Sequence, residues 1–197
     1  MTDIITISAA QGQGKSTFIR DIVANSKHSS DIEVYQSKTA RVVIADMGVS
    51  LDEIYHSSKL LMQFQDKVLE KHYDIFDFQA QCKKPFMLVE RSFIDIAVFS
   101  IINLGRLNEY STWLDNFVGT CLKTQQTKIK HAIYIPMSIV SIKNDSIRPC
   151  NMNYNFAYDS VLANYMEFAG VSIGCISKKD RLERVTQFDN LMDKIHE

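Results

Sequence analysis

The stretch that decides the fold is residues 4–18, Ile-Ile-Thr-Ile-Ser-Ala-Ala-Gln-Gly-Gln-Gly-Lys-Ser-Thr-Phe. Its first four residues are β-branched and predict a buried strand. Small, polar and glycine residues follow from 8 to 13, and Gly14-Lys15-Ser16-Thr17 then opens a helical pattern. A strand, a glycine-rich loop and a helix in this order are typical of a phosphate-binding P-loop.

The residue types of this loop fit phosphate chemistry. Backbone N–H groups at a helix N-terminus donate to phosphate oxygens, and glycine lets the backbone come close. Lys15 would reach the β- and γ-phosphates, and the Ser16 hydroxyl would bind Mg²⁺. The pattern G-x-x-x-x-G-K-[ST] has a glycine where this chain has Ala9, and Gly12 supplies freedom inside the loop instead. The residues expected to bind the phosphates are Gln11, Gly12, Gln13, Gly14, Lys15, Ser16 and Thr17.

The length and composition of the chain indicate an ordinary globular protein. The chain has 197 residues, of which 46% are hydrophobic and 23% charged, which predicts one domain carrying a small lid. A net charge of −1 leaves no global excess of positive charge for nucleic acid, although a local patch stays open. We expect a cytoplasmic protein with no membrane partner, because the N-terminus lacks a basic signal-peptide region and no apolar run is long enough to span a bilayer. The cysteines form no C-x-x-C pair and are expected to be reduced thiols: Cys82, Cys121, Cys150 and Cys175.

Strand and helix patterns alternate along the chain and predict an α/β fold with a five-stranded parallel sheet. The strands are expected near residues 4–7, 32–35, 86–89, 131–135 and 171–176. Residues 39–47 are ambiguous, because Val-Val-Ile favours a strand and Gly48 resembles a residue that ends a helix. Ligands of such sheets bind at the carboxyl ends of the strands.

A second group of polar residues, Glu90-Arg91-Ser92, follows the predicted strand at 86–89. Two opposite charges at the end of a buried strand must pair with each other or bind something. In the functional interpretation, Glu90 is a general base or holds a water of Mg²⁺, and Arg91 clamps a phosphate. Asp95 lies one helical turn beyond Arg91 and would either orient it or cap the helix.

A third group lies in the loop after the fourth strand, at about 137–153, which we expect to be the lid. Arg148 would close over the transferring phosphoryl group, and Lys143 and Asp145 lie in the same loop. Other signals are weaker. The histidines show no metal-ligand spacing, and Gln63 and Gln65 fit either nucleobase hydrogen bonding or an exposed helix face.

The segment from Val89 to Asp95 resembles the [DE]-R-S motif of P-loop nucleoside and nucleotide kinases. Within that superfamily the chain is similar to small kinase-like proteins of bacteriophages, which resemble deoxynucleoside monophosphate kinases and ribosylnicotinamide kinases. The resemblance implies a helix-flanked parallel sheet with a lid, and ATP and Mg²⁺ as cofactors. Thr39-Ala40-Arg41 matches an arginine-bearing helix after the second strand, which favours a helix at 39–47. Asp145-Ser146-Ile147-Arg148 matches a lid motif.

The resemblance further implies phosphoryl transfer to a nucleoside-like acceptor in the cytoplasm, or in the host cytoplasm for a phage protein. The catalytic residues would be Lys15, Glu90, Arg91 and Arg148, and the candidates for substrate contact are Arg41, Asp95 and Asp145.

Three hypotheses follow. The first is a kinase for a (deoxy)nucleoside or nucleoside monophosphate. The second is a kinase acting on 5-hydroxymethyluracil in phage DNA, which would need a basic strip from Lys83, Lys84, Lys123, Lys128 and Lys130. The third is a non-catalytic nucleotide-binding switch. A homodimer also stays open, because the apolar face of the helix at 109–126 fits either a dimer seam or the core.

Overall fold

Five parallel strands form one sheet in a computed structural model that describes residues 2–36, 39–137 and 151–196. Their order across the sheet is β2-β3-β1-β4-β5, and every neighbouring pair is parallel. The predicted α/β fold with a five-stranded parallel sheet is confirmed. The strands are β1 Asp3–Ala9, β2 Ile32–Tyr35, β3 Phe86–Glu90, β4 His131–Ile135 and β5 Ser172–Cys175.

Helices connect the strands and cover both faces of the sheet. Short 3₁₀ turns at Ser29–Asp31 and Asn108–Tyr110 accompany them. Among the described residues none of the helices is long and apolar enough to cross a membrane. The α-helices are α1 Lys15–Asn25, α2 Thr39–Met47, α3 Leu51–His56, α4 Ser58–His72, α5 Asp74–Gln81, α6 Phe93–Leu104, α7 Ser111–Lys128, α8 Met152–Ala169 and α9 Arg181–His196.

The ambiguous segment at 39–47 is a helix. Only one side of α2 faces the core, so Val43 is buried while its neighbour Val42 lies at the surface. The strand interpretation is wrong because the apolar run wraps around a helix and does not alternate between two sheet faces. Gly48 ends the helix with a φ of 65°, a left-handed conformation that glycine adopts without strain.

Alternate residues of β1 divide the core between two layers. Ile5 and Ile7 pack with α1 and α9 on one face, and Ile4 belongs to the larger cluster on the other face. That cluster includes Phe117 and Cys121 of α7, both buried. Part of the apolar face of α7 therefore belongs to the core, and the homodimer stays a prediction.

The central pair of strands places two sequence motifs side by side. β1 and β3 are neighbours, with Ile7 opposite Glu90. The chain beyond β3 stays tied to β1, because the backbone N–H of Arg91 donates to the Ile7 carbonyl at 2.9 Å. The loop after β1 and the turn after β3 therefore leave the sheet at the same edge, as expected for adjacent parallel strands.

A buried carboxylate fastens this edge. The Asp95 side chain is 1% exposed. Its Oδ2 accepts from the Ser8 hydroxyl at 2.6 Å and from the Ser92 backbone N–H at 2.8 Å. The Tyr158 hydroxyl lies 3.3 Å from Oδ1. Asp95 thus joins β1, the start of α6 and α8 through one charge.

We predict that Asp95→Ala lowers the free energy of unfolding by at least about 2 kcal/mol, because buried donors lose a charged acceptor. Asp52→Ala, which removes an exposed carboxylate from the first turn of α3, is the matched control and should cost less than about 0.5 kcal/mol. Urea denaturation measures both. Equal losses in the two variants would contradict the role given to Asp95.

Candidate active site

The P-loop begins where β1 ends. Gly12 and Gly14 both have a φ of 79°, so glycine is needed at these two positions. Ala9 is still part of β1 and is buried. It has no positive φ, and so the departure from the usual glycine at this position costs the loop no conformational freedom. Helix α1 starts directly after Gly14 and directs its first N–H groups at the edge of the sheet.

The two side chains after Gly14 face oxygen atoms. Lys15 Nζ donates to the carbonyl oxygens of Ala9 at 2.6 Å and Ala10 at 3.0 Å, which folds the ammonium back over the loop. The Ser16 hydroxyl lies 3.0 Å from each carboxylate oxygen of Glu90. A hydroxyl beside one carboxylate is the kind of oxygen ligand set that Mg²⁺ takes when phosphates complete its shell. No group of three or more metal-binding side chains exists within the described ranges.

Arg91 has a left-handed backbone conformation and a side chain without a hydrogen-bond partner among the described residues. Its φ is 77°, a left-handed value found for no other non-glycine residue in the described part of the chain. The guanidinium has no hydrogen bond or ion pair to any residue that the structure describes, and Glu90 bonds Ser16 instead. The structural ion pair between Glu90 and Arg91 is therefore absent. Strain of this kind concentrates at functional sites, where the surrounding structure holds it in place.

A first cavity of about 520 Å³ opens above the P-loop. Among the charged side chains of its described lining, four cations face the single carboxylate of Glu90. This balance favours a polyanion. The cations are Lys15, Arg20, Arg41 and Arg91.

A second cavity of about 390 Å³ adjoins the first, and aromatic rings make up much of its wall. The two cavities share Lys15, Arg41 and Arg91, so they meet at three cations. A planar aromatic ligand fits the second cavity, with a charged group directed at the first. The aromatic residues of its lining are Tyr55, Phe64, Phe99, Tyr154 and Tyr158.

Gln65 is a buried amide of the second cavity. It is 2% exposed, and its carbonyl oxygen lies 3.3 Å from the Ser100 hydroxyl. The exposed-face interpretation is wrong for Gln65 and right for Gln63, which lies two residues away at the surface. The helical period explains the difference, because residues two apart point in different directions from a helix axis.

Sequence reasoning missed several residues of this site. The helical spacing of Phe64 indicates a core side chain, and Phe64 does belong to the core, but it also lines the second cavity. Tyr55, Phe99 and Tyr154 carried no motif. Aromatic residues at helical spacing give the same signal whether they face the core or a cavity, so only the fold separates the two cases.

Some predicted site residues are placed differently from the expectation. Gln13 is fully buried, and its side chain does not line the first cavity. Asp95 lines the second cavity, but it forms a capping box with Ser92 and no ion pair with Arg91. Of the two interpretations of Asp95, the cap is the one that the contacts show. The lid candidates Lys143, Asp145 and Arg148, and most of the lid segment 137–153, lie outside the described residues.

His72 lines the first cavity and was not singled out by its sequence context. It is 2% exposed and its ring packs edge-on against Phe93, with 4.7 Å between the centroids. Its Nε2 has no hydrogen-bond partner within the described part of the chain. Burial lowers the pKa of His72 to about 4. The negative charge of Asp95 opposes this shift, and the positive charge of Arg91 adds to it. The imidazole is therefore neutral near pH 7.

Substitutions of Arg91 should show whether its left-handed backbone is strained. Because a left-handed backbone favours glycine over alanine, we predict that Arg91→Gly is more stable than Arg91→Ala by about 1 kcal/mol. The order should reverse at Arg20, inside helix α1, where glycine is worse than alanine by about 1 kcal/mol. Thermal unfolding of the four variants tests this. Arg91→Ala at least as stable as Arg91→Gly would show that Arg91 is not strained.

His72 should make stability depend on pH. An unfolded histidine titrates near about pH 6.5. Between that value and about 4, the unfolded chain binds more protons than the folded one, so acidification destabilises the fold by up to about 3 kcal/mol. We predict that His72→Phe flattens the stability curve between about pH 6.5 and 4. Urea denaturation across this pH range measures the slope, and equal slopes in the wild type and His72→Phe would refute the assignment.

Comparison with known proteins agrees with this architecture. No protein-family model matches the sequence, and neither does any curated protein. A structure of NadR protein in complex with NR is similar, with a TM-score of 0.67 and 9% identity, over 98% of this chain and 50% of that one. The chain thus spans about half of that protein. A thymidylate kinase from Candida albicans, described as having broad substrate specificity, matches with a TM-score of 0.66 and 11% identity, over 99% and 92% of the two chains.

Sequence identities this low are evidence of a shared fold alone. Both comparisons extend over almost the whole of this chain, and the sheet order, the P-loop after β1 and the charged turn after β3 are all present within it. The chain therefore has the fold of the P-loop kinases.

Proposed function

We propose that this protein is an ATP- and Mg²⁺-dependent kinase that transfers the γ-phosphoryl group to a nucleoside or nucleoside monophosphate. One observation carries the proposal. A cation-lined cavity above a P-loop meets an apolar, aromatic cavity at Lys15, Arg41 and Arg91. This junction is where a phosphoryl group would pass from donor to acceptor.

On the donor side, the backbone of residues 11–17 and the N-terminus of α1 would hold the phosphates. Lys15 would exchange the carbonyls of Ala9 and Ala10 for phosphate oxygens, which are stronger acceptors. Ser16 and Glu90 would hold Mg²⁺, directly or through its waters. The bound ion would neutralise charge on the transferring group. The contact between Ser16 and Glu90 supports the metal role of Glu90 over that of a general base.

On the acceptor side, the aromatic cavity would take the base and the junction would take the group that is phosphorylated. Arg41 and Arg91 have no hydrogen-bond or ion-pair partner among the described residues. Two unpaired guanidinium groups at this point favour an acceptor that carries a phosphate, and so a nucleoside monophosphate over a nucleoside. NR in the NadR structure and the thymidylate of the second relative's name are consistent with a nucleoside-like acceptor. Arg148 and Asp145 would act from the lid.

Two lysines of the strip proposed for the DNA alternative lie away from the P-loop edge of the sheet. Lys84 precedes β3 and Lys130 precedes β4, so both lie at the amino ends of the strands, opposite the P-loop edge. Lys84 Nζ donates to the Ile32 carbonyl at 2.8 Å, and Lys130 lies 3.6 Å from Asp3. Duplex DNA bound there would be separated from the aromatic cavity by the length of the sheet.

We predict that γ-labelled ATP with Mg²⁺ gives labelled product from a free nucleoside or a nucleoside monophosphate. Free nucleosides, nucleoside monophosphates and 5-hydroxymethyluracil DNA would be offered side by side. Lys15→Met and Glu90→Gln should each lower the rate by roughly a hundredfold or more, since they remove charge contacts at the transferring group. Glu70→Gln, at an exposed glutamate of α4, is the matched control and should keep full activity.

Each outcome of this screen has one meaning. Label on a small acceptor that disappears in Lys15→Met and Glu90→Gln supports the proposal. Label only on DNA would replace it with the modified-base kinase, in spite of the position of the lysines. Label only in free phosphate, at a rate that no acceptor changes, would replace it with a nucleotide-driven switch in which Glu90 orients water.

A further inference from the structure

We infer that Arg184, on the last helix, is a positioning residue of the phosphate-donor site, which acts from behind the P-loop on the binding of the triphosphate chain. The inference rests on the proposed function, because it assumes that the P-loop binds a nucleoside triphosphate. Arg184 belongs to the first turn of α9, 170 positions after Gly14 in the sequence, and no motif marks it.

The Arg184 side chain is buried against the loop. It is 4% exposed, and its Nε donates to the Lys178 carbonyl at 2.8 Å. A Cβ placed on Gly14 would lie 3.7 Å from Nη1, and this is the nearest heavy atom that the Cβ would meet. Nη2 is buried and has no partner within the described part of the chain. The guanidinium therefore has an unused N–H group beside the residue that opens α1.

This position is unfavourable without an anion. A helix N-terminus carries partial positive charge, and Gly14 offers no side-chain cap to α1. A buried guanidinium beside it adds a full positive charge, and burial lowers the pKa of Arg184. Asp21 attracts this guanidinium, but its carboxylate is already engaged by Arg181. A phosphate chain on the open side of Gly14 would supply the missing negative charge.

The loop itself carries a second unmatched group. Gln13, directly before Gly14, is fully buried and neither its amide nitrogen nor its amide oxygen has a partner among the described residues. Unsatisfied buried polar groups destabilise the state that contains them. Gln13 and Arg184 both border Gly14, one along the chain and one across space. Two unsatisfied groups beside Gly14 indicate that this part of the loop reaches its most stable arrangement only when phosphates are bound on the opposite side of the loop.

A purely structural role makes a different prediction. If Arg184 only fills space between α9 and α1, an unbranched apolar side chain of similar length would serve as well, and nucleotide affinity would not change. Methionine is such a side chain. Lys194 supplies the matched control, because it is a cation of the same helix and is exposed.

The test is calorimetric binding of three probes to the full chain: ATP with Mg²⁺, tripolyphosphate with Mg²⁺, and thymidine monophosphate alone. For Arg184→Met we expect ATP and tripolyphosphate to bind more weakly by the same factor, roughly tenfold to a hundredfold, as for the loss of one charged hydrogen-bonding group. Thymidine monophosphate affinity should stay within about twofold of the wild type. Arg184→Lys should recover part of the loss, and Lys194→Met should bind all three probes as the wild type does.

Several results would overturn the inference. Unchanged affinity for ATP in Arg184→Met would leave Arg184 a packing residue. Weaker binding of ATP with unchanged binding of tripolyphosphate would place its effect on the nucleoside part of the donor. If Arg184→Met does not fold, Arg184→Lys provides the test. Full affinity for ATP in Arg184→Lys would refute a role of the guanidinium, and reduced affinity would support it. A wild-type chain that binds neither ATP nor tripolyphosphate would instead refute the proposed function.

Discussion

The site depends on the pairing of β1 with β3. Ile7 lies opposite Glu90, and the hydrogen bond from the Arg91 N–H to the Ile7 carbonyl extends this pairing by one residue beyond the strand. This bond fixes the backbone of Arg91, which is left-handed, next to Glu90, whose carboxylate accepts from Ser16. A shift of one residue in register would reverse the faces of the β3 side chains and separate the two motifs. The buried Asp95 stabilises the same junction by accepting hydrogen bonds from Ser8 and Ser92.

Charge is distributed unevenly around this junction. The whole chain has a net charge of −1. Around the P-loop, however, four cations face one carboxylate, and a fifth cation, Arg184, lies behind the loop. The fold therefore concentrates positive potential at one edge of a nearly neutral molecule. The aromatic cavity beside that edge adds an apolar surface, so a ligand with an anionic end and a planar end matches both regions at once.

The sequence predicted the strand and helix positions well because local signals agreed with the fold. The P-loop glycines, the Lys83-Lys84-Pro85 break before β3 and the Gly170 stop after α8 each mark a boundary by backbone chemistry. The segment at 39–47 needed the family resemblance, since its apolar run is compatible with either period. The cavity lining was predicted only where a motif or the family resemblance marks it, at 11–17 without Gln13, at Arg41 and at 90–91. His72 and Arg184 were not predicted, and Gln65 was left between two interpretations. The importance of these residues comes from the cavity or loop that they face, and residue type and spacing do not report that.

The most direct test of the account is whether donor and acceptor occupy the two cavities at the same time. Calorimetric titration with a dinucleoside polyphosphate, in which adenosine and thymidine are joined through their phosphates, measures this in one experiment. If the cavities meet at Lys15, Arg41 and Arg91, one equivalent should bind, more tightly than ATP or thymidine monophosphate alone, and should exclude both. An affinity no better than that of ATP, or binding that leaves the site for thymidine monophosphate open, would contradict the central claim that the two cavities form one phosphoryl-transfer site.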